Sequence, residues 1–156
     1  MVFETQIQAR LRDVNLAGHV DNVEAIRIID EARQLFLRSD DPSTGHRGLL
    51  KEVPSGVSEL VGSHRVEYHA EMRFAPYQPF LVRMWVVHVG RSSFTLDYEL
   101  RVAADHPAAI SGEVSCVLWD LGAQGSWAID DAFRARLEEH RGDPLPLRER
   151  PAGVTA

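Results

Sequence analysis

The polar segment over residues 13–22 reads Asp13-Val14-Asn15-Leu16-Ala17-Gly18-His19-Val20-Asp21-Asn22. It lies between a segment of alternating polarity and a long amphipathic segment, so we interpret it as an elbow that joins a strand to a helix. The first backbone N–H groups of a helix have no partner within the helix, and the helix dipole adds partial positive charge at that end. The elbow therefore gathers amides, carboxylates and an imidazole where developing negative charge can be stabilised.

The segment over residues 22–38 predicts one long helix after the elbow. Asp21 or Asn22 is suited to cap it, because short polar side chains accept hydrogen bonds from the first free N–H groups. Charged residues occupy the other side of the segment at helical spacing. The apolar residues form one stripe, which a folded helix must bury, and they are Ala25, Ile28, Ile29, Ala32, Leu35 and Phe36.

Five segments alternate between apolar and polar residues with a period of two, as half-buried strands do. They cover residues 3–12, 65–74, 80–89, 94–102 and 109–119. The third of these is largely apolar on both faces, which favours burial on both sides. Residues 39–57 predict a long loop with a short turn near 49–53, and residues 130–140 predict a second, peripheral helix that begins at Asp130.

This order of elements predicts an α+β fold in which an antiparallel sheet of about five strands wraps around one long central helix. We assign residues 1–141 to a single domain and residues 142–156, which contain three prolines, to a poorly ordered tail. An open sheet has two edges and an outer face, so we expect self-association as a homodimer or homotetramer.

Composition narrows the functional classes. The chain has 156 residues and a net charge of −6, which disfavours nonspecific binding to nucleic acid. Its single cysteine, Cys116, excludes an internal disulfide framework. No segment has the length and apolarity of a membrane span or signal peptide, so we expect a cytoplasmic protein. The seven histidines show no spacing typical of metal ligands, and we predict neither a metal site nor a cofactor.

The elbow and the order of elements together resemble the hotdog fold, in particular the acyl-CoA thioesterases of the 4-hydroxybenzoyl-CoA thioesterase-like family. Those proteins carry the pattern D-x-D-x-x-G-H-V-x-N, followed by a helix that ends near E-x-A-R. The elbow matches the pattern except at Asn15, and the helix carries Asp30-Glu31-Ala32-Arg33. The segment Val66-Glu67-Tyr68 resembles the next strand of the family, so the resemblance covers roughly residues 3–120.

The resemblance implies hydrolysis of an acyl-CoA thioester, but one departure concerns the chemistry itself. The family's catalytic carboxylate occupies the second acidic position of D-x-D, where this chain has Asn15. An amide is a poor nucleophile and takes no proton at neutral pH. Three explanations stay open. Another carboxylate, such as Asp13, Glu24 or Glu31, serves as base; Asn15 and His19 position the water together; or the chain binds acyl-CoA with little hydrolysis.

In the family, the oxyanion donor is a backbone N–H at the start of the helix, which here falls on Asn22 or its neighbours. His19 in the elbow suits proton transfer, because an imidazole titrates near neutral pH. The resemblance and these arguments predict catalytic roles for Asp13, Asn15, His19 and Asn22. The predicted substrate-binding residues are Gly18, Val20, Glu24 and Tyr68.

Two alternative functions remain at this point. A non-catalytic protein that binds acyl-CoA or an acyl carrier is favoured by Asn15. An enoyl-CoA hydratase of the same fold has the signature D-x-N-P-x-H, of which Asp13 and Asn15 match the start, whereas His19 falls one residue late. The acyl chain, and the choice between CoA and acyl-carrier protein, are not determined by the sequence.

Overall fold

A computed structural model describes residues 1–149. This part of the chain contains six strands, which are β1 (Phe3–Ile7), β2 (Val57–Tyr68), β3 (Phe80–Val89), β4 (Ser93–Arg101), β5 (Ile110–Asp120) and β6 (Gly125–Ser126). The helices are α1 (Asn22–Arg38) and α2 (Asp131–Glu138), with short 3-10 turns at Leu11–Asp13 and Leu49–Glu52. The strands form one antiparallel sheet in the order β1-β3-β4-β5-β2, and β6 pairs with β5. The predicted α+β architecture is confirmed.

Helix α1 has the predicted bounds, and it packs its apolar stripe against the sheet. Asp21 is the N-cap, and its side chain accepts a hydrogen bond from the Val23 N–H at 2.9 Å. Phe36 is fully buried and stacks on Phe3, with ring centroids 4.8 Å apart. This stacking anchors the C-terminal part of α1 against β1. The inner face of the sheet supplies the rest of the core, chiefly Val82, Met84, Val86, Phe94, Leu96, Tyr98, Leu100, Val114, Cys116 and Leu118.

Two strand assignments from the sequence are wrong. β1 ends at Ile7 instead of extending to residue 12, because the chain turns into the 3-10 turn over Leu11–Asp13. β2 runs over Val57–Tyr68 instead of 65–74, and it pairs with β5 along its length around an irregularity between Val61 and Ser63. Much of this edge strand is exposed, so it lacks the alternation of burial that marks a strand with one buried face.

The alternating residues that follow β2 contact the elbow instead of extending the strand. The Val20 N–H donates to the Met72 carbonyl at 2.8 Å, and an isolated bridge pairs His19 with Arg73. The segment over residues 69–74 therefore runs antiparallel beside the second half of the elbow. This pairing brings two distant parts of the chain to the start of α1.

Residues 141–148, which we call the strap, cross the outer face of the sheet. Trp85 and Asp97 on that face are almost fully buried. The strap contacts β3, β4 and β2 in turn. The hydrogen bonds run from Gly142 N–H to Val86 O (2.9 Å), Trp85 Nε1 to Asp143 O (2.8 Å), Leu145 N–H to Asp97 Oδ2 (2.6 Å) and Arg148 N–H to Glu67 Oε1 (2.7 Å).

The strap includes the first residues of the tail that we predicted to be poorly ordered. Residues 142–148 of that tail lie against the sheet, and residues 150–156 lie outside the described residues. The domain boundary at residue 141 stays a prediction. Neither helix within residues 1–149 is long and apolar enough to cross a bilayer.

Candidate functional site

The elbow is a tight turn closed by its own backbone. The Asn15 N–H donates to the His19 carbonyl at 2.8 Å, and the Gly18 N–H donates to the Asn15 carbonyl at 3.0 Å. Gly18 has a φ of +81°, a conformation that residues with a side chain rarely adopt. The glycine predicted as a substrate-binding residue is therefore required by the turn itself, which holds His19 in a fixed position.

The side chain of Asn15 also stabilises this turn. Its Oδ1 accepts hydrogen bonds from the Ala17 N–H at 3.0 Å and the His19 N–H at 3.2 Å. This is the local bonding that makes Asn frequent in turns. Because both hydrogen bonds occupy Oδ1, this oxygen is poorly placed to orient a water molecule. Asn15 nevertheless lines a cavity beside the elbow.

A cavity of about 400 Å³ opens between the elbow, the start of α1 and the segment that follows β2. It brings together five of the eight predicted site residues. Its walls are polar on the elbow side and apolar where Ala25, Met72 and Ile110 contribute. The five predicted residues that line it are Asn15, His19, Val20, Asn22 and Tyr68.

The start of α1 forms one wall of this cavity and retains a free amide there. Asp21 caps the Val23 N–H, and the Ala25 N–H donates to the Asp21 carbonyl at 2.8 Å. Within residues 1–149, the Asn22 N–H donates to no acceptor. The cap thus leaves this first amide of the helix available to a ligand.

Tyr68 covers the start of the helix from the end of β2. Its hydroxyl donates to the Asn22 carbonyl at 3.2 Å. Burial raises the pKa of the Tyr68 hydroxyl above its ordinary value, and the negative charge of Asp21 raises it further. Tyr68 is therefore a neutral donor at physiological pH, and its ring faces the cavity that Asn22 lines.

Glu71 is a cavity residue that the sequence analysis did not find. It is the one carboxylate among the described residues that line the cavity. His19 Nε2 lies 3.1 Å from Glu71 Oε2, and the imidazole is mostly buried whereas the carboxylate is mostly exposed. In the sequence, Glu71 is one polar residue of an alternating segment, and no local signal links it to the elbow.

The other carboxylates considered from the sequence lie elsewhere. Asp13 is buried, and its side chain accepts a hydrogen bond from the Arg10 N–H at 2.7 Å. Glu24 pairs with Arg27 at 3.4 Å. Together with Glu31 they border a different cavity. The structure does not bring Asp13 or Glu24 to the cavity that His19 and Asn22 line, and their predicted roles stay predictions.

Neither the single cysteine nor a cluster of metal ligands provides a second reactive site among the described residues. Cys116 is fully buried beneath the helix, and burial raises the pKa of its thiol to about 12, so it is protonated at neutral pH. In the part of the chain that the structure describes, no three His, Cys, Asp or Glu residues are grouped as metal ligands.

A family model ties this fold and site to known proteins. The model of the Thioesterase-like superfamily matches residues 9–137, which include the elbow, the central helix and the main strands. The chain belongs to the thioesterase-like superfamily. The resemblance to hotdog-fold thioesterases is thereby confirmed, and membership supports thioesterase activity. No curated protein matches the chain at a significant level.

Solved structures share the fold of this superfamily member at low sequence identity. A probable thioesterase, YbaW, from Escherichia coli is 17% identical with a TM-score of 0.71, covering 89% of this chain and 98% of its own. A predicted thioesterase from Bacillus stearothermophilus is 19% identical with a TM-score of 0.72, covering 93% and 100%. A 1,4-dihydroxy-2-naphthoyl-CoA thioesterase from Synechocystis is 17% identical with a TM-score of 0.71, covering 89% and 97%.

Proposed function

We propose that this protein hydrolyses an acyl-CoA thioester to the free acid and CoA. The observation that carries the proposal is the unpartnered Asn22 N–H at a helix start that lines one cavity with His19, in a member of the thioesterase-like superfamily. The neighbour from Synechocystis is named as a thioesterase of an aryl-CoA ester, which favours CoA over other thiol carriers.

In the proposed reaction, water attacks the thioester carbonyl carbon and the carbonyl oxygen becomes an oxyanion. The Asn22 N–H and the positive end of α1 stabilise that charge. One such donor is typically worth about 3 kcal/mol of barrier lowering. The tetrahedral intermediate then collapses, the C–S bond breaks and the CoA thiolate leaves.

The acyl group meets the apolar part of the cavity in this proposal. Val20, Ala25, Met72 and Ile110 supply that part, and the Tyr68 ring lies beside it. An apolar wall with a few convergent polar groups is the usual composition of a small-molecule site. Gly18 contributes to binding only by shaping the turn that carries His19.

We also propose that the protein forms a homodimer or homotetramer. β2 pairs only with β5, so its other edge has no strand partner within residues 1–149. Leu60 and Val61 on this strand are each 48% exposed. An exposed, partly apolar edge strand is a template for pairing with a second copy of the chain. Light scattering would give the oligomeric state, and a monomer would contradict this part of the proposal.

A cytoplasmic location stays a prediction.

A thiol-release assay over a panel of short, long and aromatic acyl-CoA esters tests the function. We expect release from at least one class, detected by the absorbance of a thiol reagent. No release from any ester would contradict hydrolysis. Tight binding of an ester by calorimetry without turnover would favour a binding protein. Loss of enoyl absorbance from crotonyl-CoA would favour a hydratase.

A further inference from the structure

We propose that Glu71 is the general base that activates water, held in position by His19; this inference rests on the proposed function. The superfamily resemblance places the catalytic carboxylate at position 15, where this chain has an amide that stabilises the turn. Hydrolysis by this chain therefore needs its proton acceptor from another position.

The cavity limits the choice of that acceptor. Asp13, Glu24 and Glu31 border a separate cavity, and Asp13 and Glu24 are engaged by Arg10 and Arg27 respectively. Among the described residues that line the cavity beside Asn22, only Glu71 carries a carboxylate. Its side chain is 68% exposed, so water reaches it.

The geometry around Glu71 holds the carboxylate beside the elbow. The hydrogen bond from Val20 N–H to the Met72 carbonyl, 2.8 Å long, joins the two segments. His19 and Glu71 each precede one partner of that bond, and their side chains meet with Nε2 3.1 Å from Oε2. His19 Nε2 is buried and makes no hydrogen bond within residues 1–149, and the Glu71 carboxylate is the ion-pair partner that lies beside it there.

These contacts give each residue one role. His19 contacts Oε2 and leaves Oε1 for water. Glu71 takes a proton from the water as the water oxygen bonds to the thioester carbon and the carbonyl electron pair moves to oxygen. The oxyanion then re-forms the carbonyl, the C–S bond breaks, and the proton passes from Glu71 to the leaving sulfur. The products are the acid and the thiol, and Glu71 is again a carboxylate. His19 is a positioning residue in this scheme.

Substitution of Glu71 tests the assignment. Glu71→Gln keeps the shape and removes the base, so we expect kcat to fall by roughly 100-fold or more, while KM changes little. Glu71→Asp should retain part of the activity. Formate should restore turnover to Glu71→Ala, because a small carboxylate can occupy the vacated space. Glu52→Gln, which changes an exposed carboxylate on a turn away from the cavity, is the matched control and should match the wild type.

A double-mutant comparison tests the positioning role of His19. His19→Gln alone should lower kcat by about tenfold, but in the Glu71→Gln background it should change kcat little, because the two residues act on one step. A merely structural His19 would lower activity equally in both backgrounds, and that result would overturn its role.

The possible results distinguish the role of Glu71 as the base from the proposed thioester hydrolysis itself. Thiol release by the wild type with an unaffected Glu71→Gln variant overturns the assignment of the base and leaves the proposed function intact. Absence of release by the wild type from every ester overturns the function, and the assignment with it. Loss of activity in Glu71→Gln without formate rescue of Glu71→Ala also counts against the base.

Discussion

Replacement of Gly142 by alanine should detach the strap from the sheet. The backbone at Gly142 lies directly on the indole ring of Trp85. An added Cβ would lie 2.3 Å from Trp85 Cδ1 and 2.8 Å from Cγ. Carbon atoms in ordinary contact are about 3.5–4.0 Å apart, so the strap would have to lift by more than about 1 Å.

The expected cost follows from what this lift breaks. The bonds from Gly142 N–H to Val86 O, at 2.9 Å, and from Trp85 Nε1 to Asp143 O, at 2.8 Å, would be lost. Each is worth about 1 kcal/mol. Trp85 is only 7% exposed. Uncovering about half of its buried area, roughly 100 Å², costs about 2.5 kcal/mol. We therefore expect the free energy of unfolding to fall by about 4.5 kcal/mol and Tm to fall by roughly 10 °C or more.

Gly56→Ala is the matched control, because a Cβ at Gly56 would meet no atom within 4 Å. Thermal unfolding followed by circular dichroism, together with tryptophan fluorescence, distinguishes the two variants. We expect a red-shifted emission only for Gly142→Ala, from the uncovered Trp85. If both variants melt together and their emission is unchanged, the strap does not bury Trp85 in solution and the reasoning is wrong.

Three further outcomes are expected. Asn15→Asp keeps both hydrogen bonds that Oδ1 accepts in the elbow, so Tm should not change. In the Glu71→Gln background, the same substitution should restore part of the thiol release. If it restores none, position 15 faces away from the reacting carbonyl. Asp21→Ala removes the cap of the Val23 N–H and should lower the free energy of unfolding by about 1 kcal/mol in urea titrations, whereas Asp21→Asn should lose much less. Burial lowers the pKa of His140 below its ordinary value of 6.5, so the folded state favours the neutral imidazole. The stability that neutral His140 contributes is present above pH 6.5 and is lost as the pH falls through the lowered pKa. Urea titrations at about pH 7.5 and 5.5 should therefore show a smaller loss on acidification for His140→Gln than for the wild type, and an equal loss would contradict this.

The elements that the sequence predicts well depend on neighbours a few residues apart. Helix α1 has the predicted bounds because its apolar stripe repeats at helical spacing and Asp21 can cap it locally. β3 also has the predicted bounds, with an apolar run that ends just before Gly90. The elbow is equally local, since Asn15 and Gly18 close the turn through bonds within five residues.

Residues 57–74 show where local patterns fail. The alternation over 65–74 is real, but only part of it lies in β2, and the rest pairs with the elbow. The period-two pattern describes extended backbone and does not identify the segment that pairs with it. The sequence patterns assign no element to residues 58–64 of β2, because an edge strand with an exposed face carries a weak apolar pattern.

The amino-acid sequence therefore establishes the fold class, the central helix and the turn that carries His19. Only the tertiary structure determines that Glu71 lies beside that imidazole and that Asp13 borders a different cavity. It also determines that the strap covers Trp85. The physical reason is the range of the interactions. Helical spacing, capping and turn geometry act between residues close in the chain, whereas these contacts depend on the pairing of segments that are distant in sequence.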